Sequence, residues 1–174
     1  MKTNDRLKEF VASGFWLGLM PLVPGSFGAL AGLAWHMIAW LCFWQTFDMK
    51  LWCLSGALVF AALHFVLTPW AQKHWNDPDP KNFVLDEIVG YLCVPLFTLL
   101  PLDAVQAANG RWPFQYIVAA FVVFRILDAI KLPGARYIDR NIHNAWGVIL
   151  DDVVSAFYTG ILLSAWAWTA VLLG

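Results

Sequence analysis

The sequence predicts an all-α, polytopic membrane bundle of about four to five spans, preceded by an N-terminal interfacial or re-entrant segment. Three observations lead there. Of the 174 residues, 60% are hydrophobic and the mean hydropathy is +0.63, where a soluble domain is about 45–50% apolar. Only 13% are charged, about half the usual share. The apolar residues also come in long runs, and about 20 of them in a helix rising 1.5 Å per residue cross a hydrocarbon core of about 30 Å.

The opening MKTNDRLKEF is charged and reads as a soluble start. No short apolar core ending in a small-residue cleavage site follows, so insertion is expected to rely on the internal spans. Residues 10–23 are apolar but broken by Gly14, Gly18 and Pro21, and are expected to lie in the interface or to dip in and return. PLVPGSFGAL punctuates 21–30, with Ser26 a fit N-cap for the helix beyond it. Spans are expected over about 27–47, 51–67, 85–102, 112–130 and 150–172. A turn at Asp48–Lys50, a polar loop QKHWNDPDPKN at 72–82, a loop holding Asn109–Gly110, and KLPGARYIDRNIHN at 131–144 separate them. All of 1–174 is expected to form one membrane-embedded domain.

Orientation follows from the basic residues. With the N-terminus inside, Lys2, Arg6, Lys8, Lys73, Lys81, Arg125, Lys131, Arg136 and Arg140 fall inside, and only Lys50 and Arg111 outside. That bias places the N-terminus and both polar loops in the cytoplasm. Trp44, Trp52, Trp112, Trp166 and Trp168 would mark the outer interface, and Trp16, Trp70, Trp75 and Trp146 the inner one.

The same alternation brings distant charges to one face. VLDEIVGY at 84–91 begins inside with Asp86 and Glu87, and Gly90 shares a helix face with Asp86. FVVFRILDAIKLP at 121–133 ends inside with Arg125, Asp128 and Lys131 near one face. VILDDVVSA at 148–156 begins inside with Asp151 and Asp152. Each acidic pair alone also admits a reading as a helix cap favouring the positive end of the dipole. An Arg125–Asp128 ion pair alone reads as local stapling. Their shared depth argues for a site, because ionisable groups in a membrane are costly and mark function when they gather. Carboxylates suit a divalent metal, and Arg and Lys suit a phosphate.

Other features are weaker. The PGSFG turn at 24–28 could present backbone amides to a phosphate. His143 could pair with Asp139, or serve the site. His36 and His64 lie inside spans and read as packed residues. Cys42, Cys53 and Cys93 have no paired or metal-ligand spacing. Net charge is -1, so nucleic acid is not an expected partner. No GxxxxGK[ST], no Cys followed six residues later by Arg, and no GxSxG occurs. Metal-assisted chemistry on a phosphate is what the clustered carboxylates, Arg and Lys suit.

PLVPGSFGAL, VLDEIVGY, FVVFRILDAIKLP, RYIDRNIH and GVILDDVV, in this order and spacing, resemble bacterial phosphatidylglycerophosphatase A over residues 14–160. Leu132 stands between Lys131 and Pro133 where the family pattern runs Lys-Pro. The resemblance implies a multi-pass enzyme of the bacterial inner membrane. It would remove the terminal phosphate of phosphatidylglycerophosphate to give phosphatidylglycerol, with Mg2+ as cofactor and the active site on the cytoplasmic face. Motif by motif, the family's functional positions fall on Asp86, Glu87, Arg125, Asp128, Lys131, Asp151 and Asp152. Asp86, Glu87, Asp151 and Asp152 are the expected metal ligands. Arg125 and Lys131, with Ser26 and His143, are expected at the substrate phosphate. Two rivals stand beside it: a small ion or proton-coupled transporter using the carboxylate and Arg cluster, and a scaffold in which the charges staple helices.

Overall fold

The computed structural model describes residues 3–43, 46–101 and 113–173. Lys2, Trp44, and the stretch 102–112 with Asp103, the Asn-Gly turn, Arg111 and Trp112 lie outside the described residues. Seven α-helices and no strand are found among the described residues. They are α1 (Thr3–Ala12), α2 (Pro24–Cys42), α3 (Thr46–Trp75), α4 (Leu85–Phe97), α5 (Phe114–Ile130), α6 (Pro133–Asn141) and α7 (Ala145–Leu173), with one 3-10 turn at Leu17–Leu19.

By length and composition, α2, α3 and α7 are long and apolar enough to cross a membrane. The all-helical class agrees with the sequence. The other two expected spans fall on α4 and α5, which have 13 and 17 residues. At 1.5 Å per residue α4 is about 20 Å long, short of a hydrocarbon core of about 30 Å. It compensates by position. α4 is the bundle's axis, packed chiefly against α7, then α3 and α2. Leu85, Asp86, Ile88, Val89, Gly90, Tyr91, Leu92, Val94 and Pro95 along it are buried.

Large apolar residues point both ways, as a helix bundle in lipid requires. Inside, Tyr91, Leu92, Phe124, Phe60 and Leu163 form one continuous core. Outside, Leu58, Val66 and Leu172 are 64%, 73% and 79% exposed. Gly90 makes the central packing possible: a Cβ there would lie 2.7 Å from Asp152 Cβ and 2.8 Å from Phe124 Cζ. The expectation that Gly90 admits a close neighbour is met by α7 and α5. His36 and His64 are fully buried, as packed residues should be. His36 Nδ1 lies 3.1 Å from the Tyr91 hydroxyl, and His64 Nε2 lies 3.0 Å from Ala145 O.

Four local expectations change. Ser26 is not the N-cap of α2; Val23 is, in the left-handed region and without a side-chain cap bond. Pro24 explains this, since its fixed φ and missing N–H suit the first helical position and start the helix three residues earlier. Asp48–Lys50 is not a turn but the first turn of α3, where Asp48 suits the positive helix end. The apolar run after α4 stops at Phe97, where Thr98 turns extended and caps onto Val94 O. Within the polar stretch 131–144, residues Pro133–Asn141 form α6, again with Pro at the helix start. The N-terminal segment is α1 followed by a tight, irregular run in which Gly14, Phe15, Trp16 and Val23 all have positive φ.

Candidate active site

One end of the bundle holds a cavity of about 390 Å³ between the start of α2, the loop before α4, the start of α4, the end of α5, α6 and the start of α7. Asp86, Glu87, Arg125, Asp128, Lys131, Asp151, Asp152 and His143 all line it, from segments far apart in the chain. Asp86, Asp128, Asp151 and Asp152 are buried; Glu87, Arg125 and Lys131 are half-buried and His143 is exposed.

The acids divide into groups. Asp86 and Glu87 sit in the first turn of α4 behind Val84, which offers no side-chain cap. Asp152 approaches them from α7, so that one ligand atom from each of Asp86, Glu87 and Asp152 lies within 4.8 Å of the others. Its neighbour Asp151 turns away, as successive helix positions about 100° apart must. Asp151 Oδ2 accepts from Lys131 Nζ, which also donates to Asp139 Oδ1 at 2.6 Å. Burial acts to lower the Lys131 pKa, but the two carboxylates outweigh it and hold the ammonium above its ordinary range.

Arg125 is gripped on two sides. Its Nη1 donates to Asp128 Oδ2 at 2.6 Å, one turn along α5. Its Nε donates to Ser26 Oγ at 3.2 Å, reaching from α5 to α2. Gly25 clears the space, since a Cβ there would run into Glu87 Oε1 and lie 3.0 Å from Arg125 Nη2.

Buried carboxylate oxygens are almost always hydrogen-bonded. Here Asp86 Oδ1, Glu87 Oε2, Asp151 Oδ1 and Asp152 Oδ2 are buried and accept from no donor among the described residues. Helix capping does not account for these atoms. Such oxygens fit a hard divalent cation, which prefers carboxylate ligands. Three of the four belong to the close trio, and Arg125 and Lys131 supply fixed positive charge at the same cavity.

A sequence model of the family described as "Phosphatidylglycerophosphatase A" matches residues 10–167. The chain belongs to the phosphatidylglycerophosphatase A family. A protein of Haemophilus influenzae named "Phosphatidylglycerophosphatase A" is 33% identical over 95% of this chain and 96% of its own length. The Escherichia coli protein of that name is 30% identical over 89% of this chain and 80% of its own. A Bacteroides thetaiotaomicron protein named "Putative phosphatidylinositol-3-phosphatase" is 35% identical over 97% of this chain and 98% of its own. No solved structure matches.

As a member of this family of phosphoric monoester hydrolases, the chain brings every expected charged position to one cavity. Two placements differ in detail from the sequence reading. Asp139 pairs with Lys131 rather than with His143. Ser26 meets the cavity's arginine through its hydroxyl. Asp79 and Lys81 also line the cavity and were not singled out as site residues, and Asp139, which lines it too, was named only as a partner for His143. NDPDPKN signals only a turn, and nothing in a turn's composition tells which of its residues face inward.

Proposed function

We propose that this protein is a Mg2+-dependent phosphatidylglycerophosphate phosphatase, a single domain spanning residues 1–174. In the reaction the water oxygen bonds to phosphorus and the terminal ester P–O bond breaks. The leaving glycerol oxygen takes up a proton, giving phosphatidylglycerol and inorganic phosphate. The carrying observation is the set of unpartnered carboxylate oxygens beside two cationic side chains in one cavity.

Asp86, Glu87 and Asp152 would hold the ion, with Asp151 beside them. When bound, the ion would supply Lewis-acid charge neutralisation at phosphate oxygens and a more acidic water. Arg125 would bind the phosphate through its fork, with Asp128 and Ser26 fixing the guanidinium plane. Lys131 would add a second positive charge. His143, exposed at the rim, would meet the phosphate from the aqueous side. Charges fixed before the substrate arrives do not have to reorganise as charge develops in the transition state.

The basic residues favour this end of the bundle over the other, which supports a cytoplasmic-facing site in a bacterial inner membrane. A transport pathway would string its carboxylates through the depth of the bilayer. The acids here gather at one end, and Asp48 and Lys50 lie at the opposite end of α3.

The test is phosphate release from purified protein in nanodiscs carrying phosphatidylglycerophosphate or phosphatidylinositol 3-phosphate. The expected result is release from the first lipid, dependent on Mg2+ and stopped by chelator. Preference for the inositol lipid would overturn the substrate assignment, and release unaffected by chelator would overturn the metal.

A further inference from the structure

One wall of the charged cavity is not charged. Val23 and Ala129 line it, and both are exposed at the surface. They lie at the foot of two apolar stripes. On α2 the stripe runs through Leu30, Ile38 and Leu41, which are 41%, 47% and 61% exposed. On α5 it runs through Val118, Val122, Ile126 and Ile130, which are 44%, 47%, 50% and 54% exposed. Residues three and four apart on a helix share a face, and exposed Ala34 fills the step from Leu30 to Ile38, so each stripe is one continuous side. These are the sides that the sequence pattern turns to acyl chains.

The two helices run side by side and antiparallel. Trp40 and Phe114 meet at one end of the seam, ring centroids 5.8 Å apart. Ser26 and Arg125 meet at the other, at 3.2 Å. Beyond that last contact the uncharged residues Val23, Pro24, Gly25 and Ala129 line the cavity. Just before it, Leu22 is 74% exposed and Val23 is 64% exposed. Asp79, Lys81 and His143, all exposed, also line the cavity and give it a polar mouth.

We propose that the seam between the start of α2 and the end of α5 is a lateral portal for a diacyl lipid. This rests on the lipid-phosphatase reading above and adds the route to it. A lipid phosphomonoester has two incompatible parts. Its phosphate gains from Arg125 and Lys131, whereas its chains lose free energy with every CH2 drawn out of hydrocarbon. A lipid sliding between Val23 and Ala129 satisfies both: the headgroup reaches the cavity while the chains stay on the outward stripes of α2 and α5. Water and released phosphate use the polar mouth. A water-soluble ligand would need no apolar rim that is continuous with the bilayer-facing surface.

The experiment compares two forms of one substrate, dioleoyl phosphatidylglycerophosphate in nanodiscs and the dihexanoyl form dissolved as monomer, which can arrive through the polar mouth. Ala129→Trp and Val23→Trp each narrow the seam. Ile161→Trp, on the exposed side of α7, is the control. The expected result is that each seam variant lowers kcat/KM for the dioleoyl form at least about tenfold more than for the dihexanoyl form, while the control keeps the wild-type ratio. An unchanged ratio in both seam variants, whether activity is retained or lost equally, overturns the portal. Wild-type protein inactive on both forms would instead remove the phosphatase reading, and the portal with it.

Discussion

Arg125 Nη1 and Asp128 Oδ2 lie 2.6 Å apart on one face of α5, and the arginine's Nε holds Ser26 of α2 at 3.2 Å. The guanidinium is thus fixed from two elements, α5 and α2. A planar fork can do this and still present its second terminal nitrogen in a fixed plane to a phosphate, whereas an ammonium has a single nitrogen for all its contacts.

Arg125→Lys should therefore be nearly as damaging as Arg125→Gln. We expect kcat/KM for the lipid to fall by roughly 10²–10³ in both, the size seen when a positioned transition-state donor is lost. Ser26→Ala removes only one of the two grips, so its loss should be smaller than either. Steady-state phosphate release checks the order, and a fully active Arg125→Lys would contradict it.

The unpartnered oxygens of Asp86 and Asp152 predict a stability signature separate from turnover. Mg2+ at about one hundred times its Kd should stabilise the folded protein by about 2.7 kcal/mol. Asp86→Asn and Asp152→Asn should fold and lose most of that Mg2+-induced rise in Tm in detergent. An equal rise in wild type and variants would place the ion elsewhere.

Lys131 bridges two acids of different standing. The Asp139 side chain is 40% exposed and that of Asp151 is 6% exposed. Asp139→Asn should cost at most about 1 kcal/mol, as exposed ion pairs do. Asp151→Asn should cost more, since it weakens the buried partner of a half-buried ammonium. Chemical denaturation of the two variants checks the ranking.

Gly90 gives a packing test. A methyl group there would meet Asp152 Cβ and Phe124 Cζ at 2.7 and 2.8 Å. Gly90→Ala should destabilise by about 1–3 kcal/mol, the usual cost of overpacking. It should also lower activity, because relief of the clash moves Asp152 away from Asp86. A variant with wild-type Tm would contradict the tight α4–α7 contact.

The charged positions were legible in the sequence because a membrane makes each of them expensive. Asp86, Arg125 and Asp152 stand against long apolar runs, and alternating spans bring them to one face without any fold being known. What was not legible was how they divide. Nothing in the string DD says that Asp151 turns to Lys131 while Asp152 turns to Asp86 and Glu87; helix rotation and the neighbours set that. The loop between α3 and α4 was readable as a loop, but Asp79 was not readable as a cavity residue. α6 was hidden because its polar residues outweigh Ala135 and Ile138, its inward side. Ser26 was misassigned as a cap because a hydroxyl before an apolar run is a common signal, whereas Pro24 had already started the helix.

The most direct measurement is anomalous scattering from crystals soaked in Mn2+. One strong peak within ligand distance of Asp86, Glu87 and Asp152, on the same cavity as Arg125 and Lys131, is the predicted result. No peak among those three carboxylates, with Mn2+ bound at other sites, would contradict a cation-assisted phosphatase built from these helix ends.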